Sequence, residues 1–92
     1  MTNLRKEARG RPCQVRVPGI CKGDPATVVL AHLNGGGGAM KHHDLHGAWA
    51  CYECHQWLDV EYTKTASRDE RDLNHLQGVI RTQQILIKEG KL

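Results

Sequence analysis

The chain has no phenylalanine, and its 92 residues include only two tryptophans, two tyrosines and three prolines. Apolar content is modest. A domain of this length also buries a limited share of its surface, so its core alone gives a thin margin of stability and a structural metal is a natural supplement. No apolar run is long enough to cross a membrane. The opening MTNLRKEARGRPC has no apolar h-region, which predicts no secretory signal and a reducing cytoplasm as the compartment. The glycine run NGGGG at 34–38 has no GKS or GKT after it, which excludes a phosphate-binding P-loop. A large charge excess is missing too: 13 Lys and Arg against 10 Asp and Glu give +3, compatible with a nucleic-acid partner without requiring one.

What is present suits one domain over residues 1–92, with no internal repeat. Residues 1–12 form a basic arm carrying Arg5, Lys6, Arg9 and Arg11, and Gly10 and Pro12 stop any helix begun at Leu4. Its charge suits phosphate contacts, and a solvated arm explains it equally well. CQVRV at 13–17 alternates as a short strand does, Pro18 and Gly19 turn the chain, and GDP at 23–25 marks a second turn. TVVLAHL at 27–33 is β-branched and apolar and predicts a strand that pairs in a two-stranded hairpin. The glycine run ends it, and residues 34–46 are expected to be an irregular loop.

CYECHQWLDVEY at 51–62 has helical spacing, with Trp57, Leu58 and Tyr62 as its apolar contacts. SRDE at 67–70 matches a capping box and opens one long helix over 67–89, with Gly90 as its stop. Leu73, Leu76, Ile80 and Ile87 fall near one stripe of that helix, with Val79 and Leu86 beside it. Gly78 within it points to close packing. Arg68, Arg71 and Arg81 read as a solvated face, and His75 as a surface residue.

Four cysteines in a small chain kept reduced read first as a metal site. Cys13 and Cys21 are spaced C-x7-C, and Cys51 and Cys54 form a C-x2-C half-site. Together they supply the four thiolates of a closed tetrahedral zinc site. A disulfide pair or free core thiols are the competing readings. A full zinc sphere leaves His55 spare. His55 and Asp59, four residues apart, share a helix face and suit a second, divalent ion such as Mg²⁺ or Mn²⁺. His32 closes the strand TVVLAHL. An imidazole there can serve as a general base or as a satisfied core residue, and Asp44 is a candidate to orient it. His42 and His43 suit phosphate or solvent contacts.

The pattern C-x7-C, AHL, DL, C-x2-CH resembles the HNH, or His-Me finger, nucleases. Closer still is its similarity to a small phage and prophage family of HNH-like endonucleases, from LRK and CQVR through VLAH, DL and CH to the RTQ of the last helix. The resemblance implies an α+β fold: a zinc-anchored ββα-metal core over residues 13–60 with a long C-terminal helix. It implies His32 as general base, Asp44 in the middle position and His55 as ligand of the catalytic ion, in a DNA endonuclease of a bacterial host cell. Ala31 stands where many members carry a further metal ligand, so Asp59, or less readily His46, would compensate.

Two rival readings remain. A non-catalytic zinc module binding nucleic acid or protein accounts for the cysteines and the arm. An interaction protein would form a homodimer through the C-terminal helix, with Val79 and Leu86 exposed.

Overall fold

The computed structural model describes residues 3–33 and 43–92; the glycine run at 34–38 and His42 lie outside the described residues. The chain opens with a one-turn helix, α1 (Leu4–Glu7), capped by the Asn3 side chain, which accepts from the N–H groups of Arg5 and Lys6. Two strands follow, β1 (Val29–His32) and β2 (Gly47–Ala50). They pair antiparallel with Leu30 opposite Trp49 and His32 opposite Gly47. Helix α2 (Tyr52–Asp59) leaves β2 at once, and a 3₁₀ turn at Glu61–Lys64 leads to the long helix α3 (Arg68–Lys88). Among the described residues no helix is long and apolar enough to cross a membrane.

The strand expected at 13–17 does not form, and the partner of β1 is Gly47–Ala50 instead. Arg16 sits at φ 53, in the left-handed region, which no extended strand tolerates. One strand-like bond survives, from Gln14 N–H to the Trp49 carbonyl at 2.7 Å. The local cause is Cys13: the chain curls so that the N–H groups of Arg16 and Val15 approach its sulfur. The strand GAWA escapes pattern recognition because all four residues are buried, leaving no alternation to read. At 44–46 the expected irregular loop is a 3₁₀ turn, Asp44–His46, whose first free N–H (Leu45) is donated to His43 Nδ1 at 3.0 Å.

Helix α3 begins and ends as its sequence predicts. Ser67 and Glu70 complete the capping box. Gly90, at φ 74, closes the other end with bonds from Gly90 N–H to Ile87 and from Lys91 N–H to Leu86, a Schellman motif. Its orientation differs from expectation. Arg71, His75, Gly78, Val79, Thr82 and Leu86 face the core, while Leu73, Leu76, Ile80 and Ile87 are 46–60% exposed. So Arg71 and His75 are not surface residues, and Val79 and Leu86 form no exposed strip.

The physical reason lies in the sheet. Two strands leave edge N–H and C=O groups that must find partners. The polar face of α3 supplies them. Thr82 Oγ1 accepts from Trp49 N–H at 3.0 Å and His75 Nε2 donates to the Ala31 carbonyl at 2.8 Å, while Arg71 on the same face donates to the Leu58 carbonyl of α2 at 2.9 Å. Arg81, expected in solvent, donates to the Gln14 carbonyl at 2.9 Å. Gly78 permits the approach: a Cβ there would stand 2.9 Å from Val15 Cγ2 and 3.2 Å from Ala48 Cβ.

Candidate functional site

The turn over Val17–Cys21 and the start of α2 bring Cys13, Cys21, Cys51 and Cys54 together. Their sulfurs all lie within 4.8 Å of one another, and none is in a disulfide. Cys21 Sγ and Cys51 Sγ are 3.8 Å apart. Tetrahedral zinc with bonds of about 2.3 Å requires sulfurs about 3.8 Å apart, so the donor set fits that ion. The surroundings favour a thiolate at Cys13 and oppose one at Cys21 and Cys54. The Cys54 thiol and then the N–H groups of Arg16, Cys51 and Val15 pull the Cys13 thiol down to about 4. Burial, and then the charge of Cys13, push Cys21 up to about 11, and Cys13 raises Cys54 as well. Four sulfurs this close cannot all ionise without a cation among them. The four can hold a metal such as zinc, and they fix where α2 begins.

His32 ends β1, and Asp44 opens the 3₁₀ turn that leads into β2. His32 Nε2 lies 2.6 Å from Asp44 Oδ1. The same oxygen accepts from Arg5 Nε at 3.3 Å. His32, and then Arg5, hold the Asp44 carboxyl below its ordinary range. An ionised carboxylate only accepts, so Nε2 carries the proton and Nδ1 of a neutral His32 is a bare lone pair. Beside His32 lies a groove of about 320 Å³ lined by Arg5, Arg9, Val28, Val29, Leu30 and His32. Arg5 and Arg9 thus bring positive charge to the histidine from a separate segment.

On α2, His55 Nε2 and Asp59 Oδ2 are 3.4 Å apart, and both side chains are partly exposed. Two neighbouring ligands of an octahedral ion with bonds of about 2.1 Å stand about 3.0 Å apart, so this pair fits two positions of such a sphere. A carboxylate in the last helical position is opposed by the helix dipole by roughly 0.3–1 kcal/mol, which makes Asp59 costly as a purely helical choice. Among the described residues the four cysteines are the group of three or more His, Cys, Asp or Glu ligand atoms within 4.8 Å of one another; His32, Asp44 and His55 make no second such group.

The arm residues divide. Arg11 binds Glu7 at 2.9 Å and Glu89 at 2.6 Å and lies over the Trp49 ring at 4.8 Å, tying the two ends of the chain together. Lys6 and Arg9 are exposed. Trp57 is buried and donates to Thr65 Oγ1 at 3.0 Å, a packing role. His46 is exposed at the end of its turn.

His75 is the residue that sequence reasoning misplaces. It is 2% exposed, joins α3 to the carbonyl next to His32, and lies close enough to feel the charges of Asp59 and His55. Burial holds it below its ordinary value and therefore neutral. The available signal was a polar stripe, Arg71, His75, Gly78, Thr82, repeating at spacings of four, three and four.

Residues 2–91 match the family described as "Putative nuclease YbcO". A protein of that description from Escherichia coli (strain K12) is 42% identical over 100 residues, covering 98% of this chain and 96% of that protein. One from Enterobacteria phage 82 matches to the same extent. A solved structure, described as "a putative bacteriophage protein from Escherichia coli str. K-12 substr. MG1655", superposes with a TM-score of 0.79 at 42% identity, covering 96% of this chain and all of that one. On that match, across nearly its whole length, the chain belongs to the YbcO family of nuclease-like proteins.

Proposed function

We propose that the protein is a metal-dependent DNA endonuclease of HNH type, hydrolysing phosphodiester bonds in phage or prophage DNA recombination, repair or processing. The observation that carries this reading is His32. Its Nε2 is held by Asp44, and it lines a groove shared with Arg5 and Arg9. The names of the relatives support a nuclease.

On this reading Arg5 and Arg9 bind the phosphates flanking the scissile bond, with Lys6 adding charge, and counterion release makes binding salt-dependent. Arg11 acts by fixing the arm. His32 Nδ1 takes a proton from water while its oxygen forms the new bond to phosphorus. Asp44 holds the tautomer and stabilises the imidazolium. The bond from phosphorus to the 3′ oxygen breaks, that oxygen takes a proton from solvent water, and the products are a 5′ phosphate and a 3′ hydroxyl; His32 later returns its proton to solvent. His55 and Asp59 would hold Mg²⁺ or Mn²⁺, which when bound supplies positive charge to the phosphate and the leaving oxygen.

The test is cleavage of single-stranded, duplex and branched DNA by zinc-loaded protein with Mg²⁺ or Mn²⁺ added, and with the divalent ion withheld. Ion-dependent products ending in 5′ phosphate are expected. DNA binding without cleavage on any substrate would instead support a non-catalytic zinc module. That alternative draws on the lack, among the described residues, of a tight ligand group around His55.

A further inference from the structure

Helix α3 turns an ordered apolar seam to solvent. Leu73 is 56% exposed, Leu76 46%, Ile80 49% and Ile87 60%. At about 100° per residue these four positions lie within an arc of about 60°. Their spacing of three, four and seven is that of the contact positions of a coiled coil. The neighbours on one flank, Gln77 and Gln84, are exposed and uncharged. The inward face of the helix packs on the sheet, on α2 and on Gln14 and Val15, and among the described residues the outward seam is left exposed.

We propose that this seam is a homodimer interface in which two α3 helices pack antiparallel, with Ile80 on the two-fold axis. The register follows from the residues. Centred on Ile80, Leu73 meets the partner's Ile87, Leu76 meets the partner's Gln84, and Gln77 meets the partner's Gln83 or Gln84. Self-complementarity of this kind is what a two-fold interface demands.

Charge selects the antiparallel sense. The acidic start of α3 holds Asp69, Glu70 and Asp72, and its end holds Lys88. Glu70 and Lys88 are separated by five helical turns and lie on the same flank, and in an antiparallel pair like flanks face each other. Glu70 then approaches the partner's Lys88. A parallel pair, in which opposite flanks face, would set Glu70 beside the partner's Asp72 and leave Lys88 without an acidic partner, which costs energy. The helix dipoles also favour the antiparallel arrangement.

The size of the seam sets the strength. From Leu73 to Ile87 it runs about 21 Å, and a single helix pair of that length falls among the small interfaces that associate weakly. A dissociation constant of the order of micromolar is expected. The inference is independent of the nuclease reading.

Sedimentation of the full, zinc-loaded chain across a concentration series tests it. Wild type should pass from monomer to dimer, and Ile80→Glu should weaken association at least about tenfold by opposing two carboxylates on the axis. Because Ile80 is exposed, folding should persist, which circular dichroism and zinc content check. Mixing Ile80→Glu with Ile80→Lys should restore a mixed dimer. Lys88→Glu should also weaken the dimer, as only the antiparallel sense brings it against Glu70. A wild type that stays monomeric at several hundred micromolar, or an Ile80→Glu variant that associates as wild type does, overturns the interface. A Lys88→Glu variant of undiminished association overturns the antiparallel register.

Discussion

His75 Nε2 donates to the Ala31 carbonyl at 2.8 Å, which ties the middle of α3 to the strand residue just before His32. A carbonyl only accepts, so Nε2 carries the proton, and the buried ring is neutral. The bond spans 44 residues of sequence. It makes the position of His32 depend on the register of a helix that carries none of the expected catalytic residues.

Removing that bond should be felt in stability. His75→Ala leaves a buried carbonyl unsatisfied and is expected to cost roughly 1–3 kcal/mol in urea denaturation. The pH dependence is distinct. The folded-state value lies below the ordinary 6.5, so the unfolded chain takes up a proton first as pH falls. Stability is therefore full above about pH 6.5 and declines below it. His75→Gln, which keeps a donor, should flatten that decline. An unchanged acid limb in the variant would show that His75 does not carry it.

The cysteine cluster should bind one zinc ion per chain. Cys54→Ser is expected to release it and collapse the melting transition, since metal binding in such sites is coupled to folding. Chelator should do the same to wild type. Metal analysis and a melt of each sample suffice, and a Cys54→Ser protein with full zinc and an unshifted melt would contradict the site.

Gly78→Ala should destabilise although alanine favours helix. The new Cβ would meet Val15 Cγ2 at 2.9 Å and Val15 Cα at 3.1 Å, and the second contact is backbone. Overpacking of this kind costs about 1–3 kcal/mol, more than the roughly 1 kcal/mol gained in helix propensity. A melting temperature equal to or above that of wild type would refute the close packing.

The Arg11 cluster predicts a pH-dependent loss at the other end of the molecule. Arg11, then Lys91, hold Glu89 down at about 2, and Lys91 and Arg11 lower Glu7. A lowered carboxylate adds stability above its unfolded value near 4.5, and that stability is lost as pH falls through about 2. The deficit of Arg11→Gln relative to wild type should thus shrink between pH 4.5 and 2, leaving the part due to its stacking on Trp49. A deficit constant over that range would assign Arg11 to packing alone.

Local chemistry made some of this legible in sequence. The capping box, Gly90 and Gly78 each state a backbone need at one position, and the structure meets it. The cysteine spacing likewise carries its own geometry. What failed was the choice of face on α3. Leu73, Leu76, Ile80 and Ile87 are the more apolar stripe, but Thr82, His75 and Arg71 answer polar groups of Trp49, Ala31 and Leu58, and those partners are remote in sequence. The strand at 13–17 failed for a similar reason, since the bend that serves the Cys13 sulfur overrides a weak alternation. At the candidate site the His32–Asp44 contact was anticipated as an orienting pair. The approach of Arg5 and Arg9 was not, because only the tertiary fold brings the arm to β1.

The central claim is that His32 is the base of a DNA-cleaving site. Its most direct test is the single-turnover cleavage rate of wild type and His32→Ala, both carrying matched zinc and supplied with Mg²⁺ or Mn²⁺. Wild type should cleave, and the variant should be slower by roughly 10²–10⁴-fold with DNA affinity little changed. A variant that cleaves at the wild-type rate would contradict the account.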